Sequence, residues 1–135
     1  MKIRSVTFND VDTIAVLNKH LIEDEKHPNP MNIEQLAERM SGWLQAEYRG
    51  NLVVIDDRVV AYCLYRDDGE YYYLRHLYVD RESRRQGIAT RLLDWMYANV
   101  WTDKKVRLNV LAHNQSAIAF YERYGFQTRV LGMEK

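Results

Sequence analysis

The run Tyr71-Tyr72-Tyr73-Leu74-Arg75-His76-Leu77-Tyr78-Val79 leads through a short polar turn into Arg84-Arg85-Gln86-Gly87-Ile88-Ala89 and a helical pattern. No other stretch constrains the fold as much. The first run is rich in aromatic and branched residues and reads as a strand. Ile88, Leu92, Leu93, Met96 and Val100 recur at helical spacing, and Val106, Leu108 and Val110 alternate as in a second strand over 105–111. Strand, helix and strand in this order form a βαβ unit, whose crossover demands parallel pairing and a helix laid on the sheet. The loop entering the helix has a further property. A helix's first turn carries N–H groups with no intrahelical acceptor, and the helix dipole adds partial positive charge there. Gly87 permits close approach to that backbone and Arg84 and Arg85 add charge, so residues 84–89 are a candidate anion site. The plain alternative is a glycine that only shapes a turn beside solvated arginines. Gly87 is followed by no Lys-Ser/Thr pair and the loop is not G-x-G-x-x-G, which removes the main support for nucleotide triphosphatase and dinucleotide readings.

The elements before this unit follow from local signals. Lys2 to Thr7 reads as a first strand, and Asn9 or Asp10 as the N-cap of a helix over 10–24 with Ile14, Leu17 and Leu21 on one face. His27-Pro28-Asn29-Pro30 breaks the chain, because each proline disfavours helix in the residue before it. Asn32 with Gln35 resembles a capping box opening a second helix to about Tyr48, which Gly50-Asn51 ends. Leu52–Ile55 and Val59–Tyr65, joined at Asp56-Asp57-Arg58, read as a hairpin, and Asp67-Asp68-Gly69 turns the chain into Tyr71–Val79. After the unit, Asn114 or Ser116 caps a last helix with Gly125 at its end, and Phe126–Met133 reads as a closing strand. The order β-α-α-β-β-β-α-β-α-β predicts an α/β protein with a mixed (α+β) sheet flanked by helices on both faces, as one domain over 1–135.

Composition excludes several classes of function. Lys+Arg and Asp+Glu are both 19, for a net charge of +0, which argues against a nucleic-acid binder using Arg81, Arg84, Arg85 and Arg91. The one cysteine, Cys63, lies in an apolar strand pattern and is expected to be a buried structural thiol in a reducing compartment. No apolar run approaches the roughly 20 residues that span a bilayer, and no secretory leader pattern opens the chain, so a cytoplasmic location without membrane contact is expected.

The chemistry sharpens at two blocks. Arg84-x-x-Gly87-x-Ala89, after a Leu-Tyr-Val-Asp strand end, resembles the acyl-CoA-binding motif of the GNAT superfamily of N-acetyltransferases. Downstream, Asn114-x-x-Ala117-x-x-Phe120-Tyr121-x-x-x-Gly125-Phe126 is similar to a second block of that superfamily. In residue detail the resemblance covers 71–126; the N-terminal third agrees only in element order.

The resemblance implies a GNAT-like fold with a splayed central sheet, acetyl-CoA as cosubstrate without a metal, and direct attack by a primary amine of a small molecule or peptide in a ternary complex. It places main-chain groups of Leu77, Tyr78 and Val79 along the pantetheine arm, the loop of Arg84, Arg85, Gln86, Gly87, Ile88, Ala89 and Thr90 around the pyrophosphate, and Asn114 at the cofactor. Tyr121 matches the tyrosine near the thioester sulfur, a candidate general acid; its plain alternative is an aromatic packed beside Phe120 and Tyr124. A non-catalytic acyl-CoA-binding domain of the same fold is the competing reading. Two departures stand out. Many members carry a glutamate or histidine where this chain has Tyr73 and Arg75, which leaves the base open among Glu70, His113, His27 and the Glu23-Asp24-Glu25 run. On period-2 alternation Tyr73, Arg75, Leu77 and Val79 share one face and Leu74, His76 and Tyr78 the other, so a satisfied histidine is expected at 76 unless a bulge shifts the register. Tyr73 and Arg75 are the candidate acceptor-side residues, and Arg75 hints at a substrate carboxylate. The second departure is the short segment after Phe126, where either one strand closes the sheet or a second copy of the chain completes its edge, making a homodimer an expectation.

Overall fold

The computed structural model describes residues 1–135. Five strands form one sheet in the order β1 to β5: β1 (Lys2–Ser5), β2 (Tyr48–Ile55), β3 (Arg58–Asp67), β4 (Tyr71–Val79) and β5 (Lys105–Leu108). The first three pairings are antiparallel and β4–β5 is parallel. Helices α1 (Val11–Asp24) and α2 (Ile33–Gln45) cover one face; α3 (Ile88–Asn99) and α4 (Gln115–Tyr124) belong to the other. On the first face Ile14, Leu17 and Met40 pack on Leu52, Tyr62 and Leu64. On the second, Leu92, Leu93 and Met96 pack on Val53, Ala61, Cys63 and Leu74. Burial pushes the Cys63 thiol up to about 12, as befits a structural cysteine.

Local chemistry explains the boundaries. Asp10 stops the chain after β1 by accepting from the Thr7 N–H at 2.8 Å and from both Arg4 guanidinium nitrogens at 2.8 and 2.9 Å. Asn32 and Gln35 exchange the two bonds of a capping box, at 2.8 and 2.9 Å, and open α2. Asp56 and Asp57 both have positive φ, 50° and 62°, the backbone of a type I′ hairpin turn whose twist matches the strands it joins.

Three expectations are corrected. Gly50 and Asn51 do not end α2: the helix stops at Gln45, and both residues lie inside β2. Gly50 is needed there for close approach, because a Cβ would stand 2.9 Å from the Cys63 carbonyl oxygen and 3.0 Å from Val6 Cγ2. The strand after β4 ends at Leu108 rather than at residue 111, leaving Asn109 to Leu111 on the wall of a cleft. Phe126–Met133 is not a strand. Gly125, at φ 123°, ends α4, and the chain beyond runs without regular structure, with Val130, Leu131 and Met133 exposed. The closing strand of the anticipated order is therefore absent from the sheet.

The bulge sits at Arg75. Leu64 pairs with His76 and Tyr65 with Leu74, so β4 carries one extra residue against β3. Alternation restarts there. Leu74, Leu77 and Val79 face α3, whereas Tyr78 packs in the α1–α2 core and Arg75 and His76 stack towards Trp43 of α2. Tyr73 and Arg75 thus share a face with His76 and Tyr78, not with Leu77 and Val79 as unbroken alternation requires. Parallel pairing with β5 covers only Tyr71–Leu74 and stops at the same point.

Candidate functional site

Where β4 and β5 part, a cleft of about 800 Å³ opens between them, bounded by the end of α1, the start of α3 and the inner face of α4. The Asp80 N–H donates to the Val60 carbonyl at 2.7 Å, which fixes the polarity of the strand. By alternation Tyr78 turns its main-chain groups towards β3, and Leu77 and Val79 turn theirs to the gap. The Val79 carbonyl accepts from Arg84 Nε at 3.0 Å, and its N–H faces the cleft.

The loop into α3 forms the second wall. Arg85 and Gly87 both take left-handed backbone, φ 65° and 72°, and alternation of that kind turns successive N–H groups towards one concavity. None of the N–H groups from Arg84 to Thr90 has an acceptor within the chain, while the Gly87 carbonyl accepts from Arg91 and starts the helix. Arg84, Arg85, Gly87, Ile88, Ala89 and Thr90 all line the cleft; Gln86 is exposed and is not part of the lining. A run of free amides with a helix dipole behind it is an anion cradle.

Arg84 is less free than its place at the mouth suggests. Its Nη2 donates to Asp24 at the end of α1 at 2.6 Å, Arg81 Nη2 donates to the same carboxylate at 2.8 Å, and the Tyr78 hydroxyl adds a third contact at 3.1 Å. Burial alone would raise the Asp24 carboxyl, but the two guanidiniums and the phenol outweigh it and hold it below its ordinary value. This latch ties α1 to the loop after β4. It also accounts for the acidic run at the end of α1, of which Asp24 is consumed and Glu25 is turned to the cleft.

Opposite the cradle stands α4. Asn114 caps it by accepting from the Ala117 N–H at 3.3 Å, and lines the cleft at the same time. Tyr121 is wedged edge-on between Phe120 and Phe126, at 5.4 and 5.5 Å between ring centroids, and has no hydrogen-bond partner in the chain. Burial, and then the nearby Glu25 carboxylate, push its phenol well above the ordinary value, so it keeps its proton at neutral pH. Burial likewise raises the Glu25 carboxyl, against a partial offset from His113.

The remaining base candidates separate by position. His76 is buried with Nδ1 3.0 Å from the Tyr62 hydroxyl, and burial together with the Arg75 and Arg39 charges brings it down to about 3, so it is a neutral, satisfied histidine at neutral pH. His113 Nε2 lies 2.6 Å from the Glu25 carbonyl oxygen, where it fastens the start of α4 to the end of α1. His27 and Glu25 line the cleft; Glu70 does not. Tyr73 and Arg75 line its far end together with Arg39 of α2 and Asn18 of α1. Those last two were not anticipated from sequence. The signals were present: Asn18 interrupts an apolar stripe, and Arg39 precedes Trp43 by one helical turn.

A splayed parallel pair beside an amide cradle is the arrangement that the resemblance in the sequence implied. The sequence matches the family model described as an acetyltransferase (GNAT) domain over residues 47–128, and the chain belongs to the GNAT acetyltransferase family. Solved structures share the fold. A possible acetyltransferase from Clostridium difficile 630 is 25% identical, with a TM-score of 0.84 over 99% of this chain and 95% of that one. A ribosomal-protein-alanine N-acetyltransferase from Brucella melitensis biovar Abortus 2308 is 18% identical, with a TM-score of 0.80 over 99% and 97%. A predicted acetyltransferase from Clostridium acetobutylicum, solved with acetyl-CoA, is 18% identical, with a TM-score of 0.77 over 99% and 94%. No curated protein matches the sequence. No helix is long and apolar enough to cross a membrane.

Proposed function

We propose that the protein transfers an acetyl group from acetyl-CoA to a primary amine by direct attack in a ternary complex. The observation that carries this reading is the coincidence, in one cleft, of strand edge left unpaired beyond Leu74 with a run of acceptor-free amides from Arg84 to Thr90. The first matches an extended amide-bearing arm, the second a pyrophosphate. In this reading Leu77 and Val79 offer main-chain groups along the arm, the 84–90 amides hold the diphosphate, and Asn114 and Tyr121 border the thioester end.

The chemistry then follows. The neutral amine nitrogen attacks the thioester carbonyl carbon, a C–N bond forms, and the carbonyl π pair moves to oxygen. The Val79 N–H, aimed into the gap and preorganised by β4, stabilises that oxyanion. On collapse the C–S bond breaks, the thiolate takes the Tyr121 phenolic proton, and the proton leaving the nitrogen returns through water to the Tyr121 oxygen, which restores the phenol. An alkylamine near pKa 10 arrives mostly protonated, so a base must act first. Glu25, in the cleft and within electrostatic reach of Tyr121, is the proton acceptor in this scheme, with a water between where reach demands it. Holding amine and thioester together contributes a large part of the acceleration.

The test is release of free CoA thiol from acetyl-CoA with a panel of amines. Tyr121→Phe is expected to lower kcat by about 10²–10⁴-fold, the scale of a general acid, with the acetyl-CoA Kd changed by less than about threefold. Equal losses in both would make Tyr121 a packing residue. Tight acetyl-CoA binding with no amine turned over would favour a non-catalytic acyl-CoA-binding domain instead.

A further inference from the structure

The far end of the cleft is walled by two guanidinium groups that no carboxylate of the chain neutralises. Arg39 of α2 has its Cζ 4.2 Å from the centroid of the Trp43 ring, and Arg75, on the β4 bulge, lies 4.6 Å from the same ring. Neighbouring arginines are paired: Arg66 with Asp68 at 2.7 Å, Arg81 and Arg84 with Asp24. Arg39 and Arg75 enter no ion pair.

Their donors are also short of acceptors. Arg39 Nε and Asn18 Nδ2 are buried without a partner. Arg39 Nη2 reaches Asn18 Oδ1 only at 3.4 Å, and Arg75 Nη1 has the Tyr48 hydroxyl at 3.3 Å. Donors from α1, α2 and β4 therefore converge on one space and leave acceptors wanting. Buried unsatisfied donors and juxtaposed like charges each cost stability, and an anion made only of acceptors would relieve both. The Trp43 indole packs against both guanidiniums and the Tyr48 ring against that of Arg75, which holds them in place from outside the cleft lining, and planar guanidinium forks match a planar carboxylate through paired hydrogen bonds.

We propose that Arg39, Arg75 and Asn18 form a carboxylate pocket, and that the acceptor is an amine that also carries a carboxylate. The amine half of this statement rests on the acetyl-transfer reading; the carboxylate half does not. The carboxylate comes either from a free amino acid or from an acidic side chain beside the N-terminus of a peptide. His76, buried between this pocket and Tyr62, is neutral there and adds no charge to compete.

Thiol release is measured with free amino acids, their carboxamides, phosphorylated amines, and short peptides with and without an acidic second residue. The carboxylate-bearing member of each pair is expected to exceed its carboxamide in kcat/KM by about 10–100-fold, the scale of charge-assisted hydrogen bonds. Arg75→Gln and Arg39→Gln should close that gap through KM. Preference among the free amino acid and peptide arms identifies the source. Equal use of carboxylate and carboxamide, or preference for a phosphorylated amine, overturns the pocket while leaving acetyl transfer standing. If no amine is turned over, the same amino acids and carboxamides are titrated calorimetrically into protein saturated with CoA. Tighter binding of the carboxylate, lost in Arg75→Gln, upholds the pocket; equal binding overturns it. Arg75 is exposed, so its variant folds even where Arg39→Gln does not.

Discussion

Gly87 allows the anion cradle to be tested with two substitutions that share one cost and differ in another. Its φ of 72° is left-handed, and a Cβ built there meets nothing within 4 Å, so a side chain is opposed by backbone strain and not by collision. Alanine in that conformation costs about 1–2 kcal/mol, which lowers Tm by roughly 3–10 °C in a domain of this size. The Arg91 N–H bond to the Gly87 carbonyl does not depend on the side chain, so α3 survives. Glutamate carries the same strain and adds a negative charge at the mouth of the cradle. At about 6 Å from a phosphate charge and an effective dielectric of 20–40, repulsion is about 1.4–2.8 kcal/mol, or roughly 10–100-fold in affinity. Calorimetric titration of acetyl-CoA should therefore place Gly87→Glu about 10–100-fold weaker than Gly87→Ala at low salt. Raising the salt from about 0.05 M to about 0.5 M shortens the screening length from roughly 14 Å to roughly 4 Å and should shrink the gap severalfold. Equal affinities of the two variants at low salt would refute the cradle, whatever their stabilities.

Two further outcomes concern the frame that holds the cleft. Asp24 keeps a depressed pKa in the folded chain, so its contribution is present above the unfolded value near 3.9 and is lost as pH falls through the lower folded value. Asp24→Asn should lower Tm at pH 7 by roughly 3–8 °C, after discount for a carboxylate that is 28% exposed, and should flatten the acid limb of the Tm–pH curve below about pH 4; parallel curves for the two proteins would remove the latch. Two glycines should respond with opposite sign in thermal unfolding. Gly50→Ala meets a backbone carbonyl at 2.9 Å and is expected to cost about 1–3 kcal/mol, whereas Gly42→Ala, in the body of α2 with open space around it, should gain about 0.5–1 kcal/mol.

What the sequence disclosed and what it hid divide along a physical line. Strand β4, the capping box at Asn32, the Asp56-Asp57 turn and the Gly125 stop were legible because each is encoded within a few neighbouring residues. Gly50 was misread because its reason is a contact with Cys63 and Val6, distant in sequence, and glycine beside a helix looks like a terminator. Asp24 stood among the base candidates because its partners, Arg81 and Arg84, are brought to it only by the fold. The last strand was anticipated from apolar content, but the segment pairs with no strand of the sheet, and β-propensity without pairing does not make a strand. The bulge at Arg75 belongs to the same class: a single extra residue leaves no mark on a period-2 pattern, yet it inverts every face assignment beyond it. Its consequence is functional. Pairing with β5 ends at Leu74, next to the bulge, so the step that turns Arg75 towards Trp43 coincides with the parting of the two strands. One inserted residue thus accounts both for the gap proposed to receive an acyl-CoA arm and for the guanidinium proposed at its acceptor end, which is why neither half of the site could be placed by alternation alone.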